Sequence, residues 1–186
     1  MNGNLSAGEI WHRCDTLAQA VLAWCESRGV RIAAAESLTG GLLADAFVRI
    51  PGASRVFLGS AVTYDIAAKA SVLGVDADLL RREGAVHPDV AEQMAFGTAR
   101  LYDQPAYGGR VIGLSTTGVA GPGSDGDKPA GLVYAGFSVP SFDVGGGPRI
   151  TTSVRLMLSG DRERIRLLTV LRVLENVSGF TVDSQE

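Results

Sequence analysis

Ser37 and Lys69 are the two side chains best suited to nucleophilic chemistry. Ser37 follows an apolar run that predicts a buried strand and precedes a predicted helix, so its hydroxyl can point into a crevice beside helix N-terminal amides. Lys69 is one of two lysines in a chain with 15 arginines, and it lies in an Ala-Ala-Lys-Ala sequence. A desolvated lysine can lose its proton, which arginine effectively cannot, and a neutral lysine can deprotonate a serine. The two residues therefore predict a Ser/Lys pair.

Each of these residues also fits a structural role. Ser37 or Thr39 can cap the helix that follows, and Lys69 can extend from an amphipathic helix into solvent. A Ser/His/Asp triad is a weaker alternative, because His12 falls within the first predicted helix and His87 at the start of a later one. The G-x-S-x-G motif of α/β-hydrolases is absent around Ser37.

A second polar segment, Thr-Gly-Val-Ala-Gly-Pro-Gly at 117–123, follows another predicted strand. Glycines in this position let backbone amides approach an anion closely, although many loops rich in Gly and Pro are only turns. The segment lacks the Gly-Lys-Ser/Thr ending of a Walker A loop. Arg162, at the start of the last predicted helix, could hold a phosphate with two N–H groups or lie in solvent.

Helices and strands alternate along the chain and then give way to two successive strands. Predicted helices cover about 10–25, 42–50, 66–73, 88–102 and 162–177, and predicted strands cover about 30–35, 56–64, 110–116, 132–139 and 150–158, with a loop leading to Pro88. This order predicts an α/β fold, a three-layer α/β/α sandwich with a mixed, mostly parallel sheet. Ligands bind beyond the strand carboxyl ends of such sheets, where segments 36–41 and 117–126 lie. We expect a single domain over 1–186, with flexible ends at 1–8 and 179–186.

Composition excludes several classes of partner. The net charge is −3 and the basic residues are scattered, so nothing favours a nucleic acid. No apolar run approaches the ~18 residues of a membrane span, and the N-terminus lacks the features of a secretory signal, so we expect a cytoplasmic protein. Cys14 and Cys25 would lie ~16 Å apart on one predicted helix, which favours two reduced thiols. No Cys/His spacing indicates a metal site.

Several ordered motifs together resemble one family. They are Ala-Glu-Ser-Leu-Thr-Gly-Gly at 35–41, Val-Thr-Tyr at 62–64 continuing to Lys69, Leu-Gly-Val at 73–75, Thr-Thr-Gly-Val-Ala-Gly-Pro-Gly at 116–123, Lys-Pro-Ala-Gly at 128–131 and Gly-Asp-Arg at 160–162. Over nearly its whole length the chain resembles the CinA C-terminal domain family, the nicotinamide mononucleotide (NMN) deamidases.

The resemblance implies hydrolysis of the NMN carboxamide to nicotinate mononucleotide and ammonia, a step of pyridine nucleotide (NAD) salvage. It implies Ser37 as nucleophile, Lys69 as its base and Tyr64 in support of the pair. Thr117 and neighbouring amides would stabilise the oxyanion, and Arg162 would help to hold the ribose phosphate. The remaining substrate-binding residues that it suggests are Glu36, Thr39, Gly40, Gly41, Gly118, Gly121 and Gly123. It implies no metal or other cofactor, and it suggests a homo-oligomer.

The chain departs from the family pattern in two places. Leu38 stands where the family commonly has Cys, which bears on pocket shape, and His87-Pro88 stands where a serine-containing segment is common. Many relatives carry an additional, larger N-terminal domain. The 186 residues of this sequence leave no room for one, so we expect the chain to resemble the stand-alone form. Two other functions compete with the enzyme: a non-catalytic nucleotide-binding module, and a DNA-associated competence factor. The latter would need a basic face, which the sequence does not indicate.

Overall fold

A computed structural model describes residues 5–142 and 147–181 of the chain. The elements are α1 (Ala7–Ser27), β1 (Arg31–Glu36), α2 (Leu42–Val48), a short 3-10 helix (Ala53–Arg55), β2 (Phe57–Val62), α3 (Ile66–Leu73), α4 (Ala77–Glu83), α5 (Pro88–Tyr102), β3 (Val111–Gly118), β4 (Leu132–Val139), β5 (Ile150–Met157) and α6 (Arg162–Thr181). None of the helices in this described part of the chain is long and apolar enough to cross a membrane.

The five described strands form one mixed sheet in the order β2-β1-β3-β4-β5. β1 pairs in parallel with both β2 and β3, whereas β4 pairs antiparallel with β3 and β5. Only β4 therefore runs against the other four strands, which agrees with the predicted mixed sheet.

Helices cover both faces of the sheet, so the predicted three-layer α/β/α sandwich is confirmed. One face packs against α1, α2 and α6 in the main apolar core, which includes Ile32, Leu114 and Phe137 from three strands. The other face packs chiefly against α5, with α3 and α4 beyond it. Both cysteines are buried and unpaired in the first of these layers, and burial raises the pKa of each thiol to about 12, which keeps them protonated and unreactive.

Parts of the predicted order of elements were wrong. The loop expected before Pro88 contains α4, a seven-residue helix that begins where the Asp76 carboxylate accepts from the amides of Asp78 and Leu79. Thr117, expected in a loop, lies within β3. α2 ends two residues early, at Val48.

The ends expected to be flexible are helical in part: residues 7–8 and 179–181 belong to helices, whereas residues 5 and 6 precede α1. α1 begins at Ala7, because Ser6 and Glu9 form a reciprocal capping box, and α6 continues to Thr181. The expected flexibility of the ends stays a prediction. Residues 1–4 and 182–186 lie outside the described residues.

The parallel strands bring the polar segments to one edge of the sheet. β1, β2 and β3 all point the same way, so their carboxyl ends meet there. The amide of Ser37 donates to Thr116 O (3.0 Å), and the amide of Thr63 donates to Glu36 O (3.0 Å). Backbone hydrogen bonds alone therefore link the carboxyl ends of the three strands.

Candidate active site

Ser37 is the first residue after β1, at the base of a surface cleft. Its side chain remains 8% exposed, and it lines the cleft together with its neighbour Leu38. Its amide is already bound to Thr116 O. Ser37 therefore borders the cleft, while its backbone is fixed to the end of β3.

Lys69 lies behind this serine on α3 and is completely buried. Its Nζ is 3.1 Å from Ser37 Oγ, 2.6 Å from Thr63 O and 3.4 Å from Tyr64 O. Burial lowers the pKa of Lys69 from 10.5 to about 8, against an opposing effect of the Asp65 carboxylate. About a tenth of this amine is therefore uncharged at pH 7, far more than for a lysine with the ordinary pKa of 10.5.

The three partners of Lys69 determine where its lone pair can point. Carbonyl oxygens only accept hydrogen bonds, so Thr63 O and Tyr64 O must each take an N–H from the amine. A neutral lysine has two N–H groups and one lone pair. With both N–H groups donated to carbonyls, the lone pair faces Ser37 Oγ, which is the orientation that a general base for this hydroxyl needs.

Glu36, expected at the substrate, instead holds the start of α2. Its buried carboxylate accepts from the amides of Gly41 (2.8 Å), Leu43 (3.0 Å) and Ala44 (3.0 Å), and from the Ser60 hydroxyl (2.8 Å). A carboxylate at a helix N-terminus satisfies amides that lack helical partners. All of the strong acceptor capacity of Glu36 is therefore used inside the protein.

Thr39, Gly40 and Gly41, also expected at the substrate, form the turn between Ser37 and α2 rather than the wall of the cleft. The Thr39 hydroxyl is 2.7 Å from the Thr116 hydroxyl, and both threonines are fully buried. Gly40 and Gly41 have φ values of +55° and +101°, which other residues rarely adopt. These glycines let the chain turn sharply after the serine.

The cleft in front of Ser37 has a volume of about 340 Å³. Its walls are Ser37 and Leu38, Tyr64, Ala85 and Val86, residues 117–125 and Arg162. Three of the predicted glycines, Gly118, Gly121 and Gly123, therefore lie on the cleft. At Gly118 a Cβ would come within 2.6 Å of Leu132 O, so this position has no room for a side chain.

Tyr64 and Arg162 meet at the rim of the cleft. The Tyr64 side chain is 65% exposed, and its hydroxyl accepts from Arg162 Nη2 (3.1 Å), while Arg162 Nη1 donates to Gly121 O (2.5 Å). The contact of Tyr64 with Lys69 is made by its backbone carbonyl rather than by its ring. Both acceptors of Arg162 are neutral, so its positive charge is not balanced by an ion pair within the described residues.

Thr117 lies on the cleft wall, but its hydroxyl already has an acceptor. Thr117 Oγ1 donates to Ala85 O (2.7 Å), which ties β3 to the segment before α5. Lys128, the second lysine, makes a matching contact by donating to Glu83 O at the end of α4. To stabilise an oxyanion, the Thr117 hydroxyl would have to stop donating to Ala85 O.

Sequence reasoning missed Arg166, which contacts the turn after Ser37. Its Nε donates to Leu38 O and its Nη2 to Thr39 O, both at 2.8 Å. The available signal was its spacing: Arg166 is four residues after Arg162, and residues at i and i+4 share one face of a helix. Among residues 5–142 and 147–181, no group of three or more His, Cys, Asp or Glu side chains is placed to hold a metal ion.

The fold and the site together define a three-layer α/β domain in which a buried lysine contacts a serine at the carboxyl edge of parallel strands. The family model of the CinA C-terminal domain matches residues 14–180. The chain belongs to the CinA C-terminal domain family.

Curated relatives share much of the sequence. A putative competence-damage inducible protein of Caldanaerobacter subterraneus is 42% identical over 167 residues, covering 89% of this chain and 37% of the relative. A CinA-like protein of Frankia casuarinae is 44% identical over 174 residues, covering 93% of this chain and 37% of the relative. The chain thus spans little more than a third of the length of these relatives.

Solved structures show the same fold. The competence/damage inducible protein CihA of Agrobacterium tumefaciens has a TM-score of 0.76 at 32% identity, covering 89% of this chain and 93% of that one. The competence damage-inducible protein A of Klebsiella pneumoniae has a TM-score of 0.77 at 28% identity, covering 93% of this chain and 99% of that one.

Proposed function

We propose that this domain is an amidohydrolase that converts NMN and water to nicotinate mononucleotide and ammonia. The observation that carries the proposal is the 3.1 Å contact between Lys69 Nζ and Ser37 Oγ. When the neutral lysine donates both of its N–H groups to Thr63 O and Tyr64 O, its lone pair is left for the serine. Membership of the CinA C-terminal domain family is consistent with this activity.

The reaction would proceed through an acyl-enzyme. Ser37 Oγ attacks the carboxamide carbon as its proton passes to neutral Lys69. The tetrahedral intermediate collapses, and the leaving amine takes the proton from Lys69 and departs as ammonia. Lys69 then deprotonates a water molecule that attacks the acyl carbon, and the proton returns to Ser37 Oγ as nicotinate mononucleotide is released.

The oxyanion needs donors other than the amide of the nucleophile, because the Ser37 amide is bound to Thr116 O. The candidate backbone donors on the cleft are the amides of Leu38, Ala120, Gly121 and Gly123. Val119 is excluded because its amide donates to Leu132 O, and Pro122 has no N–H. The Thr117 hydroxyl remains a further candidate if it exchanges Ala85 O for the oxyanion.

The rim of the cleft suits a substrate that carries a phosphate. Arg162 has two neutral acceptors, Gly121 O and Tyr64 Oη, so a phosphate can replace either and gain a charge-assisted hydrogen bond. Val86, Val119 and Ala120 supply apolar wall to the same cleft as this cation and Ser37, which suits a flat pyridine ring. A nucleotide carboxamide matches both features.

Ammonia release distinguishes this proposal from its alternatives. NMN, nicotinamide riboside, nicotinamide and NAD are supplied separately, and we expect the fastest release from NMN because it alone combines a terminal phosphate with an unencumbered carboxamide. Ser37→Ala and Lys69→Arg should both abolish release while keeping the fold, since the arginine retains the charge but cannot act as a base. NMN binding without ammonia from the wild-type protein would instead favour a non-catalytic nucleotide-binding module.

A further inference from the structure

The turn that follows Ser37 is held by two oppositely charged side chains. On one side, the Glu36 carboxylate accepts from the amides of Gly41, Leu43 and Ala44. The other side is held by the Arg166 guanidinium, which comes from α6. The negative carboxylate therefore binds backbone N–H groups of this short segment, and the positive guanidinium binds its backbone carbonyls.

Arg166 donates hydrogen bonds to the backbone carbonyls of the two residues immediately after the serine. Nε and Nη2 of its planar guanidinium each donate over 2.8 Å, to Leu38 O and Thr39 O respectively. Gly40 lies directly beneath the same group, since a Cβ at this glycine would be 3.5 Å from Arg166 Nη2. A guanidinium can satisfy two successive carbonyls in this way, whereas the single ammonium of a lysine has no such rigid fork.

The serine and its base are anchored separately. Lys69 is held by the carbonyls of Thr63 and Tyr64, which follow β2. On its amino side, Ser37 is held by the hydrogen bond of its amide to Thr116 O. On its carboxyl side, it is held through the next residue, because Arg166 donates to Leu38 O. Loss of Arg166 would therefore remove the anchor on the carboxyl side of Ser37 but leave the base in place.

We propose that Arg166 is a positioning residue that fixes Ser37 Oγ against Lys69, an inference that rests on the proposed Ser/Lys hydrolysis. Arg166 does not line the cleft, so it acts through the turn and not on the substrate. A displacement of about 1 Å at a reacting group can lower turnover about 100-fold. Removal of Arg166 should therefore reduce kcat and spare KM.

The test compares Arg166→Met and Arg166→Lys with Arg164→Met. Arg164 is a matched control, because it lies on the same helix and donates to a backbone carbonyl, Leu5 O (2.8 Å), away from the cleft. We expect Arg166→Met to lower kcat for NMN about 10- to 100-fold with KM within threefold of wild type, and Arg166→Lys to recover part of the loss.

The midpoint of the pH-rate profile should not move, because Lys69 keeps both carbonyl partners. Millimolar methylguanidinium should raise kcat of Arg166→Gly and leave Arg164→Gly unchanged.

A serine-directed fluorophosphonate separates this inference from the proposed reaction, since labelling of Ser37 needs the Ser/Lys geometry but not NMN. The Ser37 oxygen bonds to phosphorus, fluoride leaves and Lys69 accepts the proton. We expect the labelling rate, followed by intact mass, to fall at least 10-fold in Arg166→Met and to stay within twofold of wild type in Arg164→Met. If the wild-type protein labels but does not deaminate NMN, the proposed substrate is wrong and the role of Arg166 stands on the labelling rates. Equal labelling of Arg166→Met and wild type, or equal losses in the Arg166 and Arg164 variants, would overturn the inference.

Discussion

Lys69 Nζ and Ser37 Oγ lie 3.1 Å apart although 32 residues separate them in the chain. The lysine enters from α3 and the serine from the end of β1, and the two segments are joined because Thr63 N donates to Glu36 O. Burial of the amine at this point has two effects that can be measured independently. It supplies a base near neutral pH, and it makes the stability of the fold depend on pH.

The rate of NMN hydrolysis should rise with pH through the pKa of Lys69. Only the neutral amine can accept the Ser37 proton, and its pKa is lowered to about 8 by burial. We expect kcat/KM to increase about tenfold per pH unit below this value and to level off above it. Ammonia release measured between pH 6 and 9.5 checks this, and a flat profile across that range would exclude Lys69 as the base.

The same pKa shift predicts a stability change at alkaline pH. The folded protein releases the Lys69 proton near pH 8, whereas the unfolded chain keeps it until about pH 10.5, so the unfolded state binds more protons between these values and stability rises with pH there. The free energy of unfolding of wild type minus that of Lys69→Met should increase by about 2 to 3 kcal/mol from pH 7 to pH 10. Urea titrations at both pH values measure it, and other titrating groups cancel in the difference. A constant difference would mean that Lys69 is not desolvated.

Long, strongly patterned elements could be predicted from the sequence. α5 was expected from Pro88 to Tyr102 and has those bounds, because proline suits the first turn and the apolar residues repeat at helical spacing. α4 could not be found in this way, since seven residues offer too few turns for a period to emerge. What starts α4 is a single capping carboxylate, that of Asp76.

Residue types alone did not separate groups that face the cleft from groups that build it. Ser37 and Lys69 were expected to meet, and they do. Glu36 and Thr39 are equally polar and adjacent to the serine, yet each is fully buried and bound to other protein groups. Strand alternation and the sharp turn after β1 decide which side chain reaches the cleft, and these depend on backbone angles that the sequence does not display. The expected homo-oligomer and cytoplasmic location remain predictions.

Arg162→Met should weaken NMN binding rather than chemistry. The variant removes a guanidinium whose charge is available to a phosphate, and a hydrogen bond to a charged group contributes about 1.5 to 3 kcal/mol. We expect KM for NMN to rise about 10- to 100-fold and kcat to change little. Nicotinamide riboside, which lacks the phosphate, is the internal control and should react equally poorly with both proteins. A loss that is the same for both substrates would argue against a phosphate contact.

Thr117→Val distinguishes a wall residue from an oxyanion donor. If the Thr117 hydroxyl keeps donating to Ala85 O, as it does in this structure, the variant loses one hydrogen bond and about 1 kcal/mol of stability, and turnover falls less than about tenfold. If the hydroxyl turns to the oxyanion during the reaction, kcat should fall on the order of 100- to 1,000-fold at unchanged KM. We expect the first result. Steady-state kinetics and thermal melting of the same preparation decide between them.

Glu36→Gln should destabilise the fold, because the glutamine amide presents an N–H₂ group where the carboxylate now accepts. Glu36 Oε2 accepts from the amides of Gly41 and Leu43, and Oε1 from Ala44 and the Ser60 hydroxyl, so either orientation of the glutamine places donors against donors. Leaving buried polar groups unsatisfied costs about 1 to 3 kcal/mol, and each kcal/mol lowers the Tm of a domain of this size by about 2 to 4 °C. We therefore expect a Tm about 2 to 12 °C below wild type, with KM for NMN within threefold wherever the protein remains folded. Ser60→Ala, which removes only the outermost donor, should lower Tm less. A Glu36→Gln protein with wild-type Tm and a raised KM would place Glu36 at the substrate, as its neighbours in sequence suggested, and not beneath α2.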